Sequence, residues 1–406
     1  MRGAVVVTGT GLVTPGGIGT DATWSSVCGG RSAARPDPEL VGLPVAISCR
    51  VPGFAPDTVP VRQPWRYDRS TLLLLAAAHE AMADAGLSSG SWDGTRVALV
   101  VGSAAGGIGT LETQHRRLLS GGPTNVSPLT LTGYLPNMAA YHVALELGIR
   151  GPSLQTSTAC ASGATAVITA ALLLAAGQCD LAVACGTDAM VTPLCAAAFA
   201  KMGALSRRDR DPARASRPFD RDRDGFVLAE GAGVLILERA EHAAARRIRP
   251  HATLAGYATT SDAHHATAPD PRGTGLRRAV TTALGAADAT LTEVDHINAH
   301  GTGTPLNDRA EATTIRELFT RHTPTVTSAK GCLGHTMGAA GAIEAVLTVA
   351  SIVRQTVPPT ANFTAPDDHT DQIDVVAGSA RPQQIDLALS HSLGFGGHNT
   401  VLAFTR

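Results

Sequence analysis

The stretch from Gly151 to Gly177, GPSLQTSTACASGATAVITAALLLAAG, sets a polar threonine and serine run against a long apolar segment, with Cys160 at the junction. Residues this small and this apolar on every side predict a helix buried all round in a protein core. The texture returns about 180 residues later: CASGATAVITAALLLAAGQ, from Cys160, is matched by MGAAGAIEAVLTVASIVRQ, from Met337. Two such helices predict a duplicated architecture built on two buried central helices. At the mouth of the first, unpaired N–H groups and the helix macrodipole favour a thiolate, so Cys160 reads as a nucleophile of lowered pKa. The alternative is a small buried hydrophobe.

Composition narrows the choices. Of 406 residues, 44% are apolar and 17% charged, the balance of an α/β protein with a large alanine- and glycine-rich interior. A net charge of -1 removes the electrostatic case for nucleic acid or a membrane surface as partner. Seven scattered cysteines, none in a CxxC pair, predict a reducing, cytoplasmic setting and no metal site of their own. The apolar run near the N-terminus is too short for a signal-peptide core. No run reaches the length that spans a bilayer, and the helix after Cys160 comes closest.

In chain order, Ala4 to Val7 predicts a buried strand broken by Gly9 to Gly17. The TGTG there lacks the third glycine of a dinucleotide loop. Ser70 to Ala85 predicts a helix stopped by Gly86, Thr95 to Gly102 a strand, and Thr132 to Leu147 a helix. The charge-dense residues 201–230 read for the most part as a solvated loop. The second half repeats the pattern, and strands near His300 and before His335 each deliver a histidine into a glycine-bearing turn. A lone histidine is an ordinary structural residue. Here both share the setting of Cys160, because loops at the carboxyl ends of parallel strands converge on one crevice. A thiol and two imidazoles in that crevice suit acyl transfer through a thioester.

The motifs TACASG, SRPFDRDRDGFVLAEGAG, NAHGTGTPLND, KGCLGH and GFGGHN, in this order, resemble the signatures of the β-ketoacyl-acyl-carrier-protein synthases with a Cys-His-His triad. The resemblance runs over essentially the full chain. It implies an α/β thiolase fold, with duplicated β/α halves in a five-layered αβαβα sandwich, the halves here being residues 1–250, carrying the cysteine, and 251–406, carrying the histidines. It implies that Cys160 takes the acyl group from an acyl carrier protein, while His300 and His335 stabilise the enolate formed when a malonyl thioester loses carbon dioxide. Lys330 would pair with Glu344 and order the site. The backbone N–H groups of Cys160 and Phe395 would form the oxyanion hole, Phe395 would gate entry, and Thr302 and Thr304 would hold the pantetheine arm. The chemistry requires no metal or diffusible cofactor, the phosphopantetheine being carried by the acyl carrier protein.

Two positions depart from the fatty-acid members. Ala105 stands where they carry a larger aliphatic residue at the end of the acyl pocket, and Thr130 near where they place a phenylalanine from the partner subunit. Both imply a roomier pocket and a polyketide or specialised fatty-acid substrate, with housekeeping elongation as the alternative. Arg66 and Arg208 match basic residues that dock the carrier protein. A homodimer is expected, or a heterodimer with a chain-length factor. The factor itself lacks the nucleophile that this chain keeps, and a degradative thiolase would need a second catalytic cysteine near the C-terminus.

Overall fold

A computed structural model describes residues 3–88 and 90–406, so Met1, Arg2 and Ser89 lie outside the description. Ten strands form its frame: β1 (Val5–Thr14), β2 (Val97–Gly102), β3 (Ser153–Thr156), β4 (Leu181–Ala189), β5 (Glu230–Arg239), β6 (Ala252–Ser261), β7 (His296–Asn298), β8 (Thr325–Thr327), β9 (Leu387–Gly394) and β10 (His398–Thr405). The first five pair in the order β1-β5-β4-β2-β3 and the second five in the order β6-β10-β9-β7-β8. In each block the first two pairings are antiparallel and the last two parallel. This is one topology used twice. β1 and β6 join the blocks edge to edge over Val5–Val7.

Side-chain alternation turns the two blocks into five layers. Along β2, Val97, Leu99 and Val101 pack outward with α1 (Arg69–Asp84), while Ala98 and Val100 face α2 (Ser162–Ala175). The second block packs its far face on α3 (Thr274–Ala286) and α4 (Pro305–Leu318), and its near face on α5 (Ala340–Arg354). So α2 and α5 fill the middle layer.

Small residues let these two helices touch. A Cβ on Gly163 would lie 2.6 Å from the backbone nitrogen of Ala342, and one on Gly341 would lie 2.6 Å from that of Ala164. The contact is reciprocal, as a pseudo-two-fold relation requires. Met337–Arg354 is long and apolar enough to cross a membrane, but 89% of it is buried in the protein, which marks it as a core helix. It, rather than the helix after Cys160, is the longest apolar element among the described residues.

Three sequence expectations change. The strand at Val5 runs on through Gly9 and Gly11 to Thr14, because α1 lies directly on it: a Cβ at Gly11 would sit 2.0 Å from the Ala77 carbonyl oxygen. The helix expected over residues 132–147 divides into Thr130–Tyr134 and Met138–Leu147, with Pro136 in the break. The charged run is not all solvated. Arg217, Asp220 and Arg223 are buried, with Arg217 on Asp220 at 3.0 Å and Arg223 on Asp367 at 2.6 Å.

Candidate active site

The turn that carries Cys160 begins where β3 ends. Ala159 has φ +51°, in the left-handed region that costs a non-glycine residue roughly 1–2 kcal/mol. Ser162 holds it there: its hydroxyl accepts from the Thr158 N–H at 2.9 Å and donates to the Ala159 carbonyl at 2.6 Å. Cys160 is thereby presented just ahead of α2. Opposite it, β9 ends in Gly394, where a Cβ would be 2.4 Å from the Thr158 carbonyl oxygen. That approach brings the Phe395 backbone N–H into a hydrogen bond with the Cys160 sulfur.

Both histidines come from the second block. His300 follows β7, and its N–H and that of Gly301 donate to the buried Glu311 carboxylate at 2.8 Å each. His335 follows β8 and the helical turn Lys330–Leu333. Its backbone is stitched into residues 227–229, donating to Val227 at 2.8 Å and accepting from Ala229 at 3.0 Å. The two rings meet edge to face with centroids 5.5 Å apart. His335 Nε2 lies 3.1 Å from Cys160 Sγ.

Tautomers follow from obligate donors. The Met337 N–H donates to His335 Nδ1 at 3.3 Å, so the ring proton sits on Nε2, facing the sulfur. The Lys330 ammonium donates to His300 Nδ1 at 3.4 Å and to the His300 carbonyl at 2.6 Å, and is ion-paired with Glu344. His300 therefore also carries its proton on Nε2. Burial, reinforced by the Lys330 charge, depresses both imidazoles well below their ordinary value and keeps them neutral. The result is two neutral N–H donors beside a sulfur.

The sulfur itself departs from expectation. Burial pushes the Cys160 thiol up to about 12, with Lys330 and the Phe395 N–H opposing and Asp188 and Glu344 reinforcing. The resting group is a thiol, because desolvation of the buried anion outweighs the helix terminus. Burial also raises Glu344 to about 7 against the pull of Lys330.

The ligand atoms of Cys160, His300 and His335 lie within 4.8 Å of one another, a spacing that could hold a metal ion. With both Nε2 atoms protonated and an ammonium behind His300, neither ring offers a lone pair there without changing tautomer.

A cavity of about 370 Å³ opens on the three residues. Thr302, Thr304, Phe395 and His398 line it, the two threonine hydroxyls 2.8 Å apart, with Met202 and Leu306 near the mouth. Ala105 and Thr130 do not line this cavity within the chain. The Ala105 N–H turns to Asp188 at 3.4 Å, and Thr130 borders a second cavity of about 630 Å³, as does Arg66, which lies exposed beside Trp65. Arg208 stands on the loop beyond Ala204 of the first cavity, donating to the Asp222 carbonyl at 2.9 Å and 3.8 Å from the Asp224 carboxylate.

Sequence reading missed Ala159, Asp188 and Glu311. Asp188, wholly buried at the end of β4, accepts from Ser103 at 2.7 Å, Ala104 at 2.9 Å and Gly338 at 2.6 Å, tying the first block to the start of α5. Its signal was the acidic residue inside the otherwise apolar LAVACGTDAM. The spacing of Glu311 from His300 along NAHGTGTPLNDRAE was the signal for the other.

Two family profiles match: the β-ketoacyl synthase N-terminal domain over residues 2–243 and the C-terminal domain over residues 251–364. This chain belongs to the β-ketoacyl synthase family. It is 40% identical over 409 residues to 3-oxoacyl-[acyl-carrier-protein] synthase 2 of Synechocystis, covering 99% of this chain and 98% of that protein. Among solved structures, the ishigamide ketosynthase/chain length factor superposes with a TM-score of 0.93 at 32% identity, over 100% of this chain and 99% of that one. A type II PKS acyl-carrier protein complex with its ketosynthase bound to the hexaketide gives 0.91 at 31% identity, over 100% of both chains. The fold is thus the thiolase-like ketosynthase fold, and the chain is a carbon–carbon bond-forming β-ketoacyl synthase.

Proposed function

We propose that Cys160, His300 and His335 divide the decarboxylative Claisen condensation between them. In the first half, Cys160 attacks an acyl thioester on a carrier protein; its proton leaves with the pantetheine thiol, and the acyl group stays on sulfur. The N–H groups of Cys160 and Phe395 receive the tetrahedral oxyanion. In the second half, a malonyl thioester loses carbon dioxide, and the electron pair of the broken bond becomes an enolate whose oxygen accepts from the Nε2–H of both histidines. Such a donor is worth about a hundredfold or more in rate. The carbanion attacks the acyl-cysteine, the β-ketoacyl product forms on the carrier, and one proton is taken up to restore the thiol. Lys330 and Glu344 hold His300 in its tautomer without joining the proton traffic.

The observation that carries this reading is the pair of imidazoles around one sulfur, His335 Nε2 at 3.1 Å from it and His300 within 4.8 Å, each ring fixed by a donor on its Nδ1. The proposal extends to a carrier protein as partner, supported by the acyl-carrier-protein complex of the ketosynthase relative, and to Thr302 and Thr304 as the pantetheine contacts, supported by their place in the cavity. It takes no metal and no diffusible cofactor. It assigns the active unit to a homodimer or to a heterodimer with a chain-length factor, the latter supported by the ketosynthase/chain length factor relative. It treats residues 1–250 and 251–406 as the two halves, and Arg66 and Arg208 as carrier contacts. An acyl chain larger than that of housekeeping synthesis is proposed from the residue types at Ala105 and Thr130 alone, since neither lines the Cys160 cavity within the chain. The seven free thiols support a reducing, cytoplasmic setting.

Intact mass after mixing with acyl carrier proteins bearing different chains tests it. The expected result is an acyl adduct that disappears in Cys160→Ala, and a β-ketoacyl carrier product once malonyl carrier is added. An adduct that persists in Cys160→Ala overturns the nucleophile assignment.

A further inference from the structure

Behind the triad lies a third imidazole that the chemistry above does not use. His391, on β9, is wholly buried, and its Nδ1 meets the Glu311 carboxylate at 3.1 Å. The same carboxylate accepts the backbone N–H groups of His300 and Gly301. Its oxygen Oε1 is shared by His391 and the His300 N–H; Oε2 takes the Gly301 N–H. Gly301 has φ +36°, and a Cβ there would lie 2.7 Å from Ser328 and 2.9 Å from the Phe219 ring, so the turn that aims His300 is tight and needs a fixed anchor. Glu311 is that anchor. A buried carboxylate keeps one orientation only while its donors are in place. Two of them belong to the turn being held, and His391, from a different strand, supplies an independent one.

We propose that His391 is a positioning residue for the decarboxylation half of the reaction, acting through Glu311 to fix the backbone of His300 and hence the direction of its Nε2–H. The inference rests on the function proposed above. His335 is anchored separately, by residues 227–229 and Met337, so the loss of His391 leaves the Cys160–His335 contact in place. This sets the effect apart from a general loss of structure. A donor displaced by about 1 Å loses about a hundredfold in rate, and partial displacement about tenfold.

The experiment measures two half-reactions of the full-length protein: the rate of Cys160 acylation by acyl carrier protein, followed by intact mass, and the release of carbon dioxide from malonyl carrier protein. His391→Ala is expected to lower decarboxylation about ten- to a hundredfold with acylation unchanged. His391→Asn is the rescue variant, because its Nδ2 stands the same number of bonds from Cα as His Nδ1 and can donate to Glu311; it is expected to recover most of the loss. If His391→Ala lowers both half-reactions equally, or neither, the proposal is wrong. If it does not fold, His391→Asn and His391→Leu, which match the size without and with loss of the donor, decide: equal decarboxylation rates in these two overturn it. A wild-type protein that neither acylates nor decarboxylates would instead overturn the proposed function.

Discussion

The turn after β3 and the segment after β8 occupy equivalent places in the two blocks, yet they are built differently. The first passes from Thr156 to Cys160 with three residues between, is held by the Ser162 hydroxyl and presents one reactive group. The second inserts a helical turn, Gly334 at φ +71° and Met337 at φ +53° before α5 begins, and in that longer path it buries Lys330 and His335. Duplication supplied a symmetric frame, and asymmetric loops supplied the chemistry. In the role proposed for it, Cys160 needs only exposure to the cavity. Two donors of fixed tautomer need a buried cation, an acid partner and obligate backbone donors, which takes more chain.

The largest break in this division is at Cys160, the proposed nucleophile. Cys160→Ala should abolish acylation, with condensation falling on the order of a thousandfold or more while decarboxylation of malonyl carrier protein persists, because the histidine donors stand without the sulfur. Intact mass and carbon dioxide release read the two separately. Loss of both activities together would mean that the first block also holds the second substrate in register.

Next comes the ion pair of the second block. Lys330→Met leaves Glu344 buried beside apolar groups and removes the donor that fixes the His300 tautomer. It is expected to cost about 3–5 kcal/mol in denaturant unfolding, and Lys330→Met with Glu344→Leu should regain most of that stability without regaining decarboxylation. Stability and activity recovering together would make the pair purely structural.

The extent to which sequence foretold this molecule follows the same division. Cys160, His300 and His335 were legible because each sits in a small-residue run beside a strand end or core helix, whereas Lys330 and Glu344 came only from the resemblance of KGCLGH and the helix after it to the synthase signatures. The paired small-residue helices gave the duplication. Contacts made at long range were not legible. Nothing near Gly11 says that α1 lies on it, and nothing in SRPFDRDRDG says that Asp220 meets residues 364–365 and Arg223 meets Asp367. The lowered pKa expected for Cys160 failed for a related reason: a helix terminus can be read locally, but depth of burial cannot.

The frame's symmetry can be probed at its contact. Gly163→Ala and Gly341→Ala each drive a methyl into the backbone of the opposite central helix, and each should lower stability by about 1–3 kcal/mol by thermal or denaturant unfolding. The two values should agree within the scatter of replicate melts. A large disagreement would show that one helix yields while the other is pinned, so that the halves share a topology but not a packing.

The smallest effect concerns Asp188, which joins the halves. Burial raises it to about 6 against a usual value of 3.8, so the folded protein binds a proton there that the unfolded chain does not across that window. Its contribution is fully present below pH 3.8 and is lost as pH rises through 6. His296, His300 and His335 are depressed by burial and act in the opposite sense, losing stability as pH falls below their ordinary value of 6.5. The two tendencies oppose each other in the wild type, with Asp308 and Glu344, also raised by burial, on the side of Asp188. Asp188→Asn removes one of them, so unfolding free energy should fall more steeply between pH 6 and 4, by about 1.4 kcal/mol per pH unit at most. Denaturant midpoints across that range would show it. An unchanged slope would mean that Asp188 keeps its charge through the window, held by the Ser103, Ala104 and Gly338 donors that bind the two halves together.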